Sequence, residues 1–154
     1  MNIKLITVGK LKEKYLKDAV EEYLKRISKF CEFEIIEVPD EKIPDNASVK
    51  EEIQIKQKEG DLILKHIKDD MYVIALAIDG NMLSSPDFRN FIKKLKLTGK
   101  NNIAFIIGGS LGLSEKVLNR SNYKLSFSRM TFPHQLMRVI LLEQICSLSA
   151  FYKE

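Results

Sequence analysis

The chain has 154 residues, enough for one domain with a packed core that needs no disulfide or metal staple. Hydrophobic residues make up 45% and charged residues 30%, which excludes a disordered or collagen-like chain, and the apolar runs are too short to span a bilayer. Net charge is +4, but it is unevenly spread: residues 1–78 carry 14 Lys and Arg against 16 Asp and Glu, whereas residues 79–154 carry 11 against 5. A basic half suits a polyanion, because bound phosphates release counterions; a solvated basic face is the equal alternative. No N-terminal segment has the pattern of a signal peptide. Cys31 and Cys146 have no metal-ligand spacing, and His66 and His134 are the only histidines, so no metal site is expected. The composition reads as a reduced cytoplasmic protein.

Ile3–Val8 predicts a short strand ended by Gly9, and Tyr15, Leu16, Ala19, Val20, Tyr23, Leu24, Ile27 and Phe30 predict an amphipathic helix. Phe33–Val38 is strand-like and stops at Pro39. Ser48 and Glu51 have the spacing of a capping box opening a charged helix from Val49 to about Lys68. Tyr72–Ile78 and Ile103–Ile107 are continuously apolar, the pattern of strands buried on both faces of a parallel sheet, closed by Asp79-Gly80 and Gly108-Gly109. Between them Ser85 and Pro86 predict the start of a helix whose inner face is Phe88, Phe91, Ile92 and Leu95. Ser114 predicts the cap of a short helix, Tyr123–Phe127 a last strand, and Pro133 the start of a final helix. Leu136, Met137, Val139, Ile140, Leu141, Ile145 and Leu148 make that helix apolar over more than one stripe, as expected between its own sheet and a partner chain. The alternation predicts an α/β fold, a mostly parallel sheet flanked by helices, in a single domain over residues 1–154.

Two segments could hold chemistry. Gly108-Gly109-Ser110-Leu111-Gly112 follows a buried strand, where ligands of parallel sheets bind, yet it is neither a dinucleotide fingerprint nor a P-loop. By itself it is a small-molecule loop or a simple turn. Leu125 to His134 joins the last strand to the final helix, rich in hydroxyl side chains and backbone groups able to read a base. His134 and Arg138 lie one helical turn apart and can share a cleft; alternatively His134 caps the helix and Arg138 pairs with Glu143 or another acid. Asp79 is a weaker candidate, since Asp-Gly is most often a turn.

The order Ile107-Gly108-Gly109-Ser110-x-Gly112-Leu113, Leu125-Ser126-x-Ser128-x-Met130-Thr131-x-Pro133-His134-x-x-x-Arg138 and Glu143-Gln144 closely resembles the RlmH family of SPOUT methyltransferases. Val8-Gly9-Lys10-Leu11-Lys12 and Glu37-Val38-Pro39 extend the resemblance over nearly the whole chain. It implies a C-terminal trefoil knot, a homodimer, and methyl transfer from S-adenosyl-L-methionine to N3 of a pseudouridine in the helix 69 stem-loop of 23S rRNA on the 70S ribosome. It places the cofactor against Leu76, Gly108, Phe127, Ser128, Arg129, Met130, Thr131 and Phe132, with Arg138 and His134 as the candidate catalytic pair. The resemblance breaks at the C-terminus. The family's Tyr-Arg-Ala after Glu-Gln-hydrophobic and its closing Tyr-His are replaced by Cys146-Ser147-Leu148 and Tyr152-Lys153-Glu154. Cofactor binding with reduced RNA turnover, in a ribosome-binding homologue, is therefore the alternative expectation. A Rossmann-type nucleotide enzyme is a third reading, resting on the glycine loop alone.

Overall fold

The computed structural model describes the backbone of residues 1–152 and the side chains through residue 150, so Lys153, Glu154 and the side chains of Phe151 and Tyr152 lie outside the described residues. Five strands, β1 (Asn2–Val8), β2 (Glu32–Val38), β3 (Tyr72–Met82), β4 (Asn102–Ile107) and β5 (Tyr123–Ser126), form one sheet in the order β2-β1-β4-β3-β5, and every pairing is parallel. The helices are α1 (Lys14–Ile27), α2 (Val49–Leu64), α3 (Ser85–Leu97), α4 (Glu115–Arg120) and α5 (His134–Cys146), followed by a 3-10 turn from Ser147 to Tyr152.

Alternation along β1 sorts the core into two layers. Ile3 and Leu5 face a cluster with Val20 and Ile27 of α1, Phe88 and Ile92 of α3, and Leu141, Leu142 and Ile145 of α5. Ile6 and Val8 face the opposite side, against Ile63 of α2 and Val117 of α4. Central strands covered on both faces must be apolar at every position, which is why Tyr72–Leu76 of β3 and Ile103–Ile107 of β4 read as unbroken hydrophobic runs. Truncating Phe105 of β4, fully buried, would cost about 3–5 kcal/mol. The edge strand β2 keeps Glu32, Glu34 and Glu37 exposed, a charge pattern that discourages pairing with another chain.

The capping box forms as expected: Ser48 Oγ accepts from Glu51 N at 3.1 Å and Glu51 Oε1 from Ser48 N at 3.2 Å. Four expectations change. The cap of α3 is Ser84, whose Oγ accepts from Asp87 N at 3.1 Å, because Ser85 already lies inside the helix. Helix α2 stops at Leu64, short of Lys68. Tyr15, expected on the inner face of α1, is 69% exposed: it lies in the first turn, ahead of the buried Leu16–Val20–Ile27 line. Asp79-Gly80 does not end β3. The strand continues to Met82, and its pairing with β5 breaks between Leu76 and Asn81, both of which face Leu125. The intervening residues 77–80 bulge at the carboxyl end of the sheet, a device that re-aims backbone at a site.

Candidate active site

Four segments meet beyond the carboxyl ends of β3, β4 and β5: the β3 bulge, the glycine loop, the 126–132 connection and the first turn of α5. They enclose a cavity of about 130 Å³, lined by Leu76, Ala77, Ile78, Gly108, Gly112, Phe127, Ser128, Met130, Thr131, Phe132 and His134 among others. A wider cleft of about 670 Å³ shares Leu76, Ala77, Ile78, Gly109, Gly112, Thr131, Phe132 and His134 with it and adds Asp79, Ser110 and Leu111. Together they have the size of a small-molecule site, about 300–1,000 Å³.

The loops around the cavity are held by their own hydrogen bonds. Gly112 N donates to Gly109 O at 3.0 Å, closing the glycine turn. A Cβ on Gly108 would come within 2.9 Å of the Gly112 backbone, so only glycine lets the turn fold onto the end of β4. Ser126 is buried, its Oγ 3.0 Å from both Ile78 O and Ser128 O, and it stitches the bulge to the following loop. Ser128 Oγ accepts from Met130 N at 3.0 Å. That local turn leaves Arg129 exposed at its apex, and Arg129 is the one residue of the expected cofactor set that does not line the cavity.

The expected pair is divided. His134, half-buried at the start of α5, lines both cavities. Burial and then the positive charge of Arg138 push its pKa below the ordinary imidazole value, Lys12 adds to this, and Asp40 opposes it. Arg138, one turn later, lines neither cavity. It is 2% exposed, with Nη1 donating to Glu37 Oε2 at 2.6 Å and Nη2 to Gly9 O at 3.3 Å. Its acid is thus Glu37 of β2, whereas Glu143 hydrogen-bonds Tyr23 and raises the phenol's pKa.

Sequence reasoning did not single out the β3 bulge or Glu59. The second carried a signal: Glu59 occupies an inward position of α2 between Ile55 and Ile63, where an acid is out of place.

Comparison with known proteins agrees with this architecture. The family described as "Predicted SPOUT methyltransferase" matches residues 1–150. Proteins named "Ribosomal RNA large subunit methyltransferase H" are similar over 145 residues, 94% of this chain and 91% of theirs: 71% identical in Clostridium tetani (strain Massachusetts / E88) and 65% in Clostridium botulinum (strain 657 / Type Ba4). A solved structure of a probable methylase family protein from Haemophilus influenzae Rd KW20 superposes with a TM-score of 0.54 at 11% identity, over 97% of this chain and 66% of that one, a likeness of fold. The chain belongs to the SPOUT methyltransferase family, in its RlmH group.

Proposed function

We propose that this protein is a cytoplasmic homodimer that methylates N3 of a pseudouridine in the helix 69 stem-loop of 23S rRNA, using S-adenosyl-L-methionine and acting on assembled 70S ribosomes. The observation that supports this best is the cavity that the glycine loop and the 126–132 connection line at the carboxyl edge of a parallel sheet, with a histidine of lowered pKa at its wall. The name shared by relatives up to 71% identical points to the same substrate class.

The residues suit the cofactor. Glycine-loop and 126–132 backbone offers donors and acceptors for an adenine ring, and Leu76, Phe127 and Phe132 offer apolar walls. Bound there, S-adenosylmethionine supplies a methyl group already activated by its sulfonium. The chain's own task is alignment and proton management. N3 of pseudouridine carries a proton, and a lowered pKa at the cavity wall supports His134 as the group that accepts it. Arg138 serves as a positioning residue, tying α5 to the ends of β1 and β2 so that His134 stands at the cavity. Threading of the C-terminal segment into the family's knot belongs to the same proposal.

The direct test is transfer of labelled methyl from S-adenosylmethionine to unmodified 70S ribosomes and to naked rRNA. Incorporation confined to ribosomes supports the reading; incorporation into neither, with the cofactor bound, overturns it in favour of a ribosome-binding homologue without turnover. That second reading is favoured by Cys146-Ser147 where the family has Tyr-Arg. The double variant Cys146→Tyr, Ser147→Arg then gains turnover at unchanged cofactor affinity if the altered segment is what limits the reaction.

A further inference from the structure

Glu59 of α2 is 5% exposed, the one acid among the buried residues described. It lines neither cavity, yet it touches what encloses them. Its Oε2 accepts from Glu41 N at 3.0 Å, in the connection after β2. A Cβ on Gly109 would stand 3.2 Å from Glu59 Oε1, 3.4 Å from Oε2 and 3.3 Å from Val8 Cγ1, so the carboxylate lies against the Cα of Gly109. The next residue grips the other end of the same segment. A Cβ on Gly60 would fall on Ser114 Oγ and within 3.1 Å of Val117 Cγ2, and Ser114 in turn caps α4 through Val117 N at 3.3 Å. Two consecutive residues of α2 therefore hold the loop from Gly109 to Ser114 from behind, while its front forms the cavity wall.

A filler would not need a charge. Leucine at this position would match Ile55 and Ile63 but would leave the Glu41 N–H without its carboxylate. We propose that Glu59 is a positioning residue of the methyl-donor site, tying the Gly109 end of the glycine loop to the backbone of Glu41 so that the loop is shaped before the donor binds. This rests on the cofactor reading above. Glu59 also titrates in an unusual setting. Burial raises its carboxyl pKa most, Asp40 and Glu41 raise it further, and the Glu41 N–H opposes them. Those two acids are the charged groups facing it from the β2–α2 connection. Val8, Gly109 and Ser114 bring none, and Lys116 of α4 pairs with Asp61 at 3.8 Å.

The test compares the full chain with its Glu59→Ala and Glu59→Gln variants, measuring amide exchange at Gly109–Gly112 without ligand and S-adenosylmethionine affinity from about pH 5 to 8. Glu59→Ala is expected to speed exchange in the loop, but not in β1 or α1, and to weaken affinity about tenfold, the worth of one hydrogen bond to a charged group. Glu59→Gln keeps an acceptor and is expected to restore both. It is also expected to remove the part of the pH drift in affinity that belongs to Glu59, leaving that of His134. A folded Glu59→Ala protein with wild-type exchange and affinity overturns the proposal. If that variant does not fold, a Glu59→Leu protein, which fills the space but accepts no hydrogen bond, overturns it instead by showing wild-type loop exchange and affinity. Failure of the wild type to bind S-adenosylmethionine would refute the cofactor reading alone, and loop exchange would still decide the role of Glu59.

Discussion

Arg138 and Glu37 lie 101 positions apart in sequence and 2.6 Å apart in space, joining the final helix to the edge strand through a guanidinium that is 2% exposed and a carboxylate that is 36% exposed. The exposures make the two ends of this pair unequal. Removing Glu37 strands a buried cation whose Nε already has no hydrogen-bond partner among the described residues, whereas removing Arg138 leaves a carboxylate that water can reach. Glu37→Ala should therefore destabilise by about 3 kcal/mol, and Arg138→Met by clearly less. Denaturant melts of both variants check the order; equal losses would contradict it.

His134 should titrate below the ordinary imidazole value, because burial and Arg138 both disfavour its charged form. A depressed folded-state pKa contributes stability that is present above the unfolded value and lost as pH falls through the folded one. Methyl transfer should fall over the same interval as the base is protonated. His134→Gln should remove the acid limb of the rate profile and lower turnover by about 10²-fold. Imidazole NMR titration beside pH–rate curves gives the comparison, and an NMR pKa at or above the ordinary value counts against it.

Glu59 works in the opposite sense. Its raised pKa means that folding favours the protonated form, so stability is fully present below the ordinary carboxylate value and declines as pH rises through the folded value. Glu59→Gln should flatten that decline. Thermal melts across the acid range, wild type against variant, read it directly, and parallel curves would argue against a buried titrating acid.

Gly108→Ala should abolish cofactor binding by displacing the Gly112 turn, since the added carbon meets backbone that cannot rotate away. Ser128→Ala removes one acceptor from a partly exposed turn and should weaken binding only a few-fold, within about 1 kcal/mol. Calorimetry with S-adenosylmethionine separates the two. Equal effects would mean that hydroxyl contacts, and not backbone shape, dominate the site.

Leu136 is 37% exposed at the start of α5, beside half-buried Met137, Val139 and Ile140 of the same helix. An apolar face of this kind suits a second copy of the chain. Leu136→Glu should weaken dimerisation by at least about tenfold. Sedimentation velocity at micromolar concentration tests it, and a wild-type monomer there would refute the dimer.

The sequence by itself determined the elements and their layering. Ile103–Ile107 is apolar at every position because the strand is covered on both faces, and the Ser48–Glu51 box is a local interaction that needs no distant partner. Family resemblance marked most of the cavity wall, since Gly108 and Phe127–Phe132 are short contiguous motifs. Tertiary structure alone decided what contact across long separations controls. It bent residues 77–80 out of β3 although Asp79-Gly80 looked like a terminus, because Asn81 re-pairs with Leu125. It decided which of the acids open to Arg138 is its partner, Glu37 and not Glu143, since Arg138 turns inward to the ends of β1 and β2 while Glu143 lies exposed toward Tyr23. It set Glu59 against Gly109, fifty positions away, where a buried carboxylate gains meaning only from the backbone folded around it.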